Sequence, residues 1–270
     1  VNMSTTQNRI PLFDGYIFDL DGTVYLGDKL LPGAGETILR LRELGRKVVF
    51  LSNNPTHTRQ EYSDRLTRMG LPTPIEEVIS SAQILVQWLV NEAPNSTVFP
   101  IAEQPLQDEL LAHGFRFSEK PDEIEFVIAS FDRTFNYHKL QVAFDAMRAG
   151  ARLIATNADR YCPVPGGGQP DAAAIIAAIE ASSSTKLEIV TGKPSAVAAQ
   201  TVANMLKLPP ERCIMTGDRL ETDIEMGVKA GMHTALTLTG ASTRDLIETL
   251  NIHPTYVING LHELIEGAEL

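Results

Sequence analysis

Two carboxylates stand two residues apart in Phe18-Asp19-Leu20-Asp21-Gly22-Thr23, where a short apolar run ends. The period-two spacing turns both side chains to one side as a strand ends, and Gly22 permits the tight turn that follows. By itself Asp-Gly is also ordinary turn chemistry. Three further polar clusters each follow an apolar run of strand type: Ser52-Asn53-Asn54 after Val48 to Leu51, Thr191-Gly192-Lys193-Pro194-Ser195 after Ile189-Val190, and Gly217-Asp218 with Asp223 after Ile214-Met215. Taken singly, Ser52 or Asn53 would serve as a helix cap, Lys193 as a solvated lysine at a helix start, and Asp218 as a turn residue. Taken together they form a pattern, because ligands of open α/β sheets bind outside the carboxyl ends of the strands. Several carboxylates gathered there repel one another by about 4 kcal/mol per pair at ~4 Å and an effective dielectric of 20. A hard divalent cation with oxygen ligands removes that conflict.

The elements that must position these residues are legible as an alternation. Tyr16 to Phe18, Lys47 to Leu51, Leu187 to Val190, Cys213 to Met215 and His233 to Leu238 read as buried strands. Between them, Ile38, Leu39, Leu41 and Leu44 form one helical face, and Val197, Ala198, Val202 and Leu206 another. The alternation predicts a mostly parallel sheet covered by helices. The middle of the chain repeats it with strands at Thr97 to Pro100, Phe126 to Ala129 and Arg152 to Ala155. Helices are expected at Pro105 to Ala112, Tyr137 to Ala149 and Asp171 to Ala181. With edges at Ser80-Ser81 and the polar run Ser182 to Thr185, the expected organisation is a core domain over 1–81 and 185–270 with a smaller α/β domain inserted over 82–184.

The 270 residues divide by ~150 into one or two domains. At 43% hydrophobic and 21% charged residues, the composition is that of a globular chain. No apolar run approaches the ~20 residues of a membrane helix. A formal charge of −11 disfavours nucleic acid and anionic membranes as partners. Val1 to Leu12 lacks the basic start and apolar stretch of a secretory signal. Cys162 and Cys213 are too few for a disulfide framework, which fits a reducing, cytoplasmic location.

In the order and spacing of its four motifs the chain resembles the haloacid dehalogenase superfamily of phosphohydrolases. Asp19-Leu20-Asp21-Gly22-Thr23 is similar to the first motif, Ser52 to the second, Lys193 to the third, and Gly217 to Asp223 to the fourth. The insertion, with Ser52-Asn53-Asn54-Pro55 and Thr191 to Ser195, resembles the NagD-type, p-nitrophenyl-phosphatase-like branch. That branch implies a Rossmann-like core, a C2-type cap, and a reduced flap at Val24 to Leu31. The resemblance implies hydrolysis of a small phosphorylated metabolite, with Asp19 as nucleophile and Asp21 as general acid and base. Ser52, Asn53 and Lys193 would hold the phosphoryl group. Mg²⁺ would be bound by Asp19, Asp218 and the Asp21 backbone carbonyl, with Asp223 behind them. It also admits a homodimer. Three alternatives stand beside it: a phosphomutase, which uses the same residues; a dehalogenase, against which Asp21 argues; and a non-catalytic binding module, against which Asp19 argues. In the insertion, Asn157 and Arg160 of the long Thr156 to Asp171 loop are the candidates for substrate selection. Asp132, Tyr137 and Lys139 read as helix-capping and stabilising residues or as substrate contacts.

Overall fold

The computed structural model describes residues 9–164 and 166–266. Most of the Val1 to Leu12 stretch lies outside them, as does Pro165 within the Thr156 to Asp171 loop. In chain order the structure begins with β1 (Gly15–Phe18), the short hairpin β2 (Tyr25–Leu26) and β3 (Lys29–Leu30), then α1 (Ala34–Glu43), β4 (Lys47–Ser52) and α2 (Arg59–Arg68). Next come β5 (Val78–Ser80), α3 (Ser81–Glu92), β6 (Thr97–Ile101), α4 (Gln104–Ala112), β7 (Arg116–Phe117) and β8 (Phe126–Ala129). They are followed by α5 (Tyr137–Ala149), β9 (Arg152–Ala155), the hairpin β10 (Tyr161–Val164) and β11 (Gly167–Pro170), α6 (Ala172–Ser183) and β12 (Ile189–Val190). The chain closes with α7 (Ala196–Leu206), β13 (Cys213–Gly217), α8 (Glu225–Lys229), β14 (His233–Thr237), α9 (Arg244–Leu250) and β15 (Tyr256–Ile258).

Two compact units emerge from the contacts. The first holds the chain through Phe50, Leu66–Thr73 and everything from Val202; the second holds Leu51–Arg65 and Pro74–Thr201. In the first unit the strands run in the order β15-β14-β13-β1-β4, and each pairing is parallel. Gly15, Tyr16, Ile17 and Phe18 are all buried, as a parallel strand covered on both faces requires. The register pairs Phe18 with Thr216. Asp19 and Gly217-Asp218 therefore emerge from the same edge, and the Asp19 N–H still donates to the Thr216 carbonyl at 2.9 Å.

The second unit has its own parallel sheet, ordered β12-β9-β8-β6-β7. Alternate residues of β8 face opposite ways: Phe126 and Ile128 pack with α3 and α4, whereas Val127 and Ala129 pack with α5 and α6. The expected strand ending at Val190 belongs to this sheet and not to the first, since β12 pairs with β9. The apolar pattern of a short parallel strand marks burial without marking which sheet buries it. The expected linker run is divided, with Ser184 and Thr185 in the connection from α6 to β12 and Ser182 and Ser183 inside the helix. Ser80 forms a capping box at the start of α3, and Ser182 and Ser183 bond back to carbonyls in the last turn of α6. The expected face of α1 is also narrower than its pattern, with Leu39 on the exposed side.

Candidate active site

The first unit brings three carboxylates together. Asp19, Asp218 and Asp223 each offer an oxygen, and all of these atoms lie within 4.8 Å of one another. Asp218 and Asp223 are buried and Asp19 is partly exposed. Gly217 ends β13, and a single π-helical turn, Leu220–Ile224, follows at once. That turn swings Asp223 back so that its Oδ2 accepts the Arg219 N–H at 3.0 Å. Such turns widen a helix by one residue and recur at functional sites. Gly22, at φ 86°, supplies the left-handed turn that only glycine adopts without strain.

Asp218 shows the electrostatic character of this cluster. Its Oδ2 accepts the Ala241 N–H at 2.6 Å, and its backbone carbonyl accepts the Ser242 N–H at 3.0 Å. Its Oδ1 is buried and has no hydrogen-bond partner among the described residues. Burial foremost, then the charges of Asp19 and Asp223, pushes the Asp218 carboxyl up to about 7. A buried carboxylate oxygen without a donor, facing two more carboxylates, fits an oxygen-ligated divalent cation. The loop after β14 that grips Asp218 carries no motif that marks it in the sequence. Its requirement is steric, since a Cβ at Gly240 would overlap the Asp218 carboxyl group.

Asp21 does not join the carboxylate group with its side chain. It is exposed, and its Oδ2 accepts the Tyr25 hydroxyl at 3.1 Å across the turn that leads into the β2–β3 hairpin, where the reduced flap was expected. Asp223, expected behind the cation, offers an oxygen within 4.8 Å of those of Asp19 and Asp218.

The second unit collects Ser52, Asn53 and Lys193. The Asn53 amide clasps the Lys193 backbone: Oδ1 accepts the Lys193 N–H at 2.8 Å and Nδ2 donates to the Lys193 carbonyl at 3.1 Å. The Asn53 carbonyl accepts the Ser81 hydroxyl at 2.7 Å. Lys193 is 2% exposed and its ammonium donates to the Leu51 carbonyl at 3.2 Å. Asp159, in the same loop as Asn157 and Arg160, takes the remaining Asn53 N–H on both carboxylate oxygens at 3.3 Å.

The two residues expected to select substrate part company. Asn157 is fully buried, donating to Asp171 at 3.1 Å and accepting from the Thr156 hydroxyl at 2.8 Å. Through these contacts it braces the second unit. Arg160 is exposed at the foot of the β10–β11 hairpin, the form taken by the long loop. The Asp132 carboxylate binds Thr134 and Lys139, while Asn136 caps α5. Those contacts make Asp132 and Lys139 braces of the helix start, and Tyr137 stands 79% exposed beside them.

Residues 16–116 match the family model described as haloacid dehalogenase-like hydrolase, and residues 190–264 match the one described as HAD-hydrolase-like. The sugar-phosphatase AraL of Bacillus subtilis is 37% identical over 94% of this chain and 93% of its own. The chain belongs to the haloacid dehalogenase-like hydrolases. Within them it falls in the NagD-type phosphatase branch. The 4-nitrophenylphosphatase of Thermotoga maritima superposes with a TM-score of 0.90 at 34% identity, covering 95% of this chain and 98% of that one. NagD of Escherichia coli K-12 does so with 0.86 at 29% identity, covering 94% and 98%. Among the described residues no helix is long and apolar enough to cross a membrane.

Proposed function

We propose that this chain is a Mg²⁺-dependent phosphomonoester hydrolase acting on a small phosphorylated metabolite, with sugar phosphates the first class to test. The observation that carries the reading is Asp218 Oδ1, a buried carboxylate oxygen with no donor among the described residues, facing Asp19 and Asp223. Mg²⁺ would be held by Asp19, Asp218 and the Asp21 carbonyl, with Asp223 in reach. When bound, it neutralises the carboxylates and draws charge from the phosphoryl oxygens.

The chain's own residues carry the bond changes. The Asp19 carboxylate attacks phosphorus, the phosphorus–oxygen bond to the leaving group breaks, and Asp21 delivers a proton to the departing alkoxide. Asp21 then takes a proton from water, whose oxygen attacks the aspartyl-phosphate, releasing inorganic phosphate and restoring Asp19. Lys193, Ser52 and the Asn53 backbone would hold the phosphoryl oxygens throughout, because phosphoryl transfer depends mainly on positioning and charge. Residues 82–184 would act as the cap that selects the leaving group, with Arg160 its exposed candidate. A cytosolic setting, in which the free thiols of Cys162 and Cys213 persist, and a homodimer complete the reading.

Release of inorganic phosphate from p-nitrophenyl phosphate and from a sugar-phosphate panel tests it. Turnover should vanish in EDTA, return with Mg²⁺, and fall by at least ~10³-fold in Asp19→Asn with the fold intact. Full activity in chelator, or Asp19→Asn within tenfold of the parent, would refute it.

A further inference from the structure

Tyr62 stands in the first turns of α2, ten residues after Ser52, and only 1% of it is exposed. Its ring is packed edge-on against His57 with centroids 5.4 Å apart. Nothing in its sequence position marks it apart from a core aromatic. Its hydroxyl, however, closes a ring of three hydrogen bonds around Ser52. The Asn54 N–H donates to Ser52 Oγ at 3.1 Å, Ser52 Oγ and Tyr62 Oη lie 3.1 Å apart, and the Tyr62 hydroxyl donates to the Asn54 carbonyl at 2.9 Å.

Proton counting shows what this ring does. A phenol has one proton; when it is given to the Asn54 carbonyl, which can only accept, Ser52 is the donor in the Ser52–Tyr62 bond. In that arrangement the Ser52 proton faces Tyr62 and not a ligand. Reversal needs only rotation about two C–O bonds. If Tyr62 turns its proton onto Ser52 Oγ, both serine lone pairs are engaged, by Tyr62 and by the Asn54 N–H. The Ser52 proton is then free for a phosphoryl oxygen. The Asn54 carbonyl gives up one bond in exchange.

We propose that the Tyr62 hydroxyl is a positioning group for phosphate, holding Ser52 Oγ in place and switching from acceptor to donor when Ser52 donates to the phosphoryl group. This rests on the phosphate-binding role proposed above for Ser52. Tyr62 acts through the serine and does not itself touch the ligand.

A double-mutant cycle on the Mg²⁺-loaded protein tests the proposal, with inorganic phosphate as the probe and competitive inhibition of p-nitrophenyl phosphate hydrolysis as the readout. Tyr62→Phe keeps the buried ring and removes only the oxygen. Ser52→Ala and Tyr62→Phe should each raise the phosphate inhibition constant about tenfold, as loss of one hydrogen bond to a charged group predicts. The double variant should be no weaker than Ser52→Ala alone. The rise in melting temperature on adding phosphate reads the same affinity in a variant of lowered stability. An unchanged constant in Tyr62→Phe, or losses that multiply in the double variant, would overturn the inference. If Ser52→Ala leaves phosphate binding intact while Asp19→Asn still abolishes turnover, the Ser52 role and this inference fall, and the hydrolase reading stands.

Discussion

Asp19, Asp218 and Asp223 in the first unit and Ser52, Asn53 and Lys193 in the second are held by opposite means. The carboxylates crowd charges of one sign, and Asp218 keeps an oxygen for which the described residues supply no donor. In the second group the amide of Asn53 is spent on Lys193 and Asp159, and Ser52 sits in a closed ring with Asn54 and Tyr62. A cluster that is unfavourable alone is stabilised by the ligand that relieves it, whereas a saturated network is rigid before any ligand arrives. The first group has a repulsion that a cation would relieve, and the second is ordered by its own hydrogen bonds.

The largest effect expected from this contrast is in Asp218→Asn. An amide there keeps an acceptor for the Ala241 N–H and turns a donor toward Asp19 and Asp223. Turnover should fall at least ~10²-fold while the metal-free protein melts several degrees higher, roughly 2–4 °C per kcal/mol relieved. A parallel loss of activity and stability would place Asp218 among ordinary structural carboxylates.

Next in size is a pH dependence confined to the metal-free protein. With the folded Asp218 carboxyl at about 7 and the unfolded one near 3.8, the folded state holds the extra proton between those values. Stability from this group is therefore full below the unfolded value, declines as pH rises through about 7, and is flat above it. Urea midpoints from pH 5 to 8 in chelator, taken as wild type minus Asp218→Asn, should decline with that shape. Saturating Mg²⁺ should flatten it, because bound metal replaces the proton. A difference that rises with pH would contradict the assignment.

The smallest effect belongs to the saturated group. Asn53→Ala removes two bonds to the Lys193 backbone without touching the carboxylates. KM for p-nitrophenyl phosphate should rise about tenfold. The Mg²⁺ concentration for half-maximal rate should stay where it was. Equal shifts in both would erase the distinction between the two groups.

The sequence made the charged half of this arrangement legible, and the reasons are local. Asp19 and Asp218 follow strands whose burial is written in Tyr16 to Phe18 and Cys213 to Met215, and a parallel register of such strands delivers their ends to one edge. What was hidden depends on partners distant in the chain. The overlap that demands glycine at position 240, the Asp159 contact to Asn53 and the bracing of Asn157 by Asp171 all join residues whose types are unremarkable where they stand. Alternation could also not tell which sheet would take Ile189 and Val190.

The pairing of β12 with β9 carries a consequence for anyone who would exchange specificity by transplanting the inserted segment. Thr191 and Gly192 extend that pairing through N–H donation to the carbonyls of Ala155 and Thr156, and Lys193 is the next residue. A graft cut at 82 and 184 would replace β9 while keeping β12, so the segment that leads to Lys193 would lose the strand it pairs with. The transferable module runs past Lys193, and chimeras should be joined within α7 or beyond it.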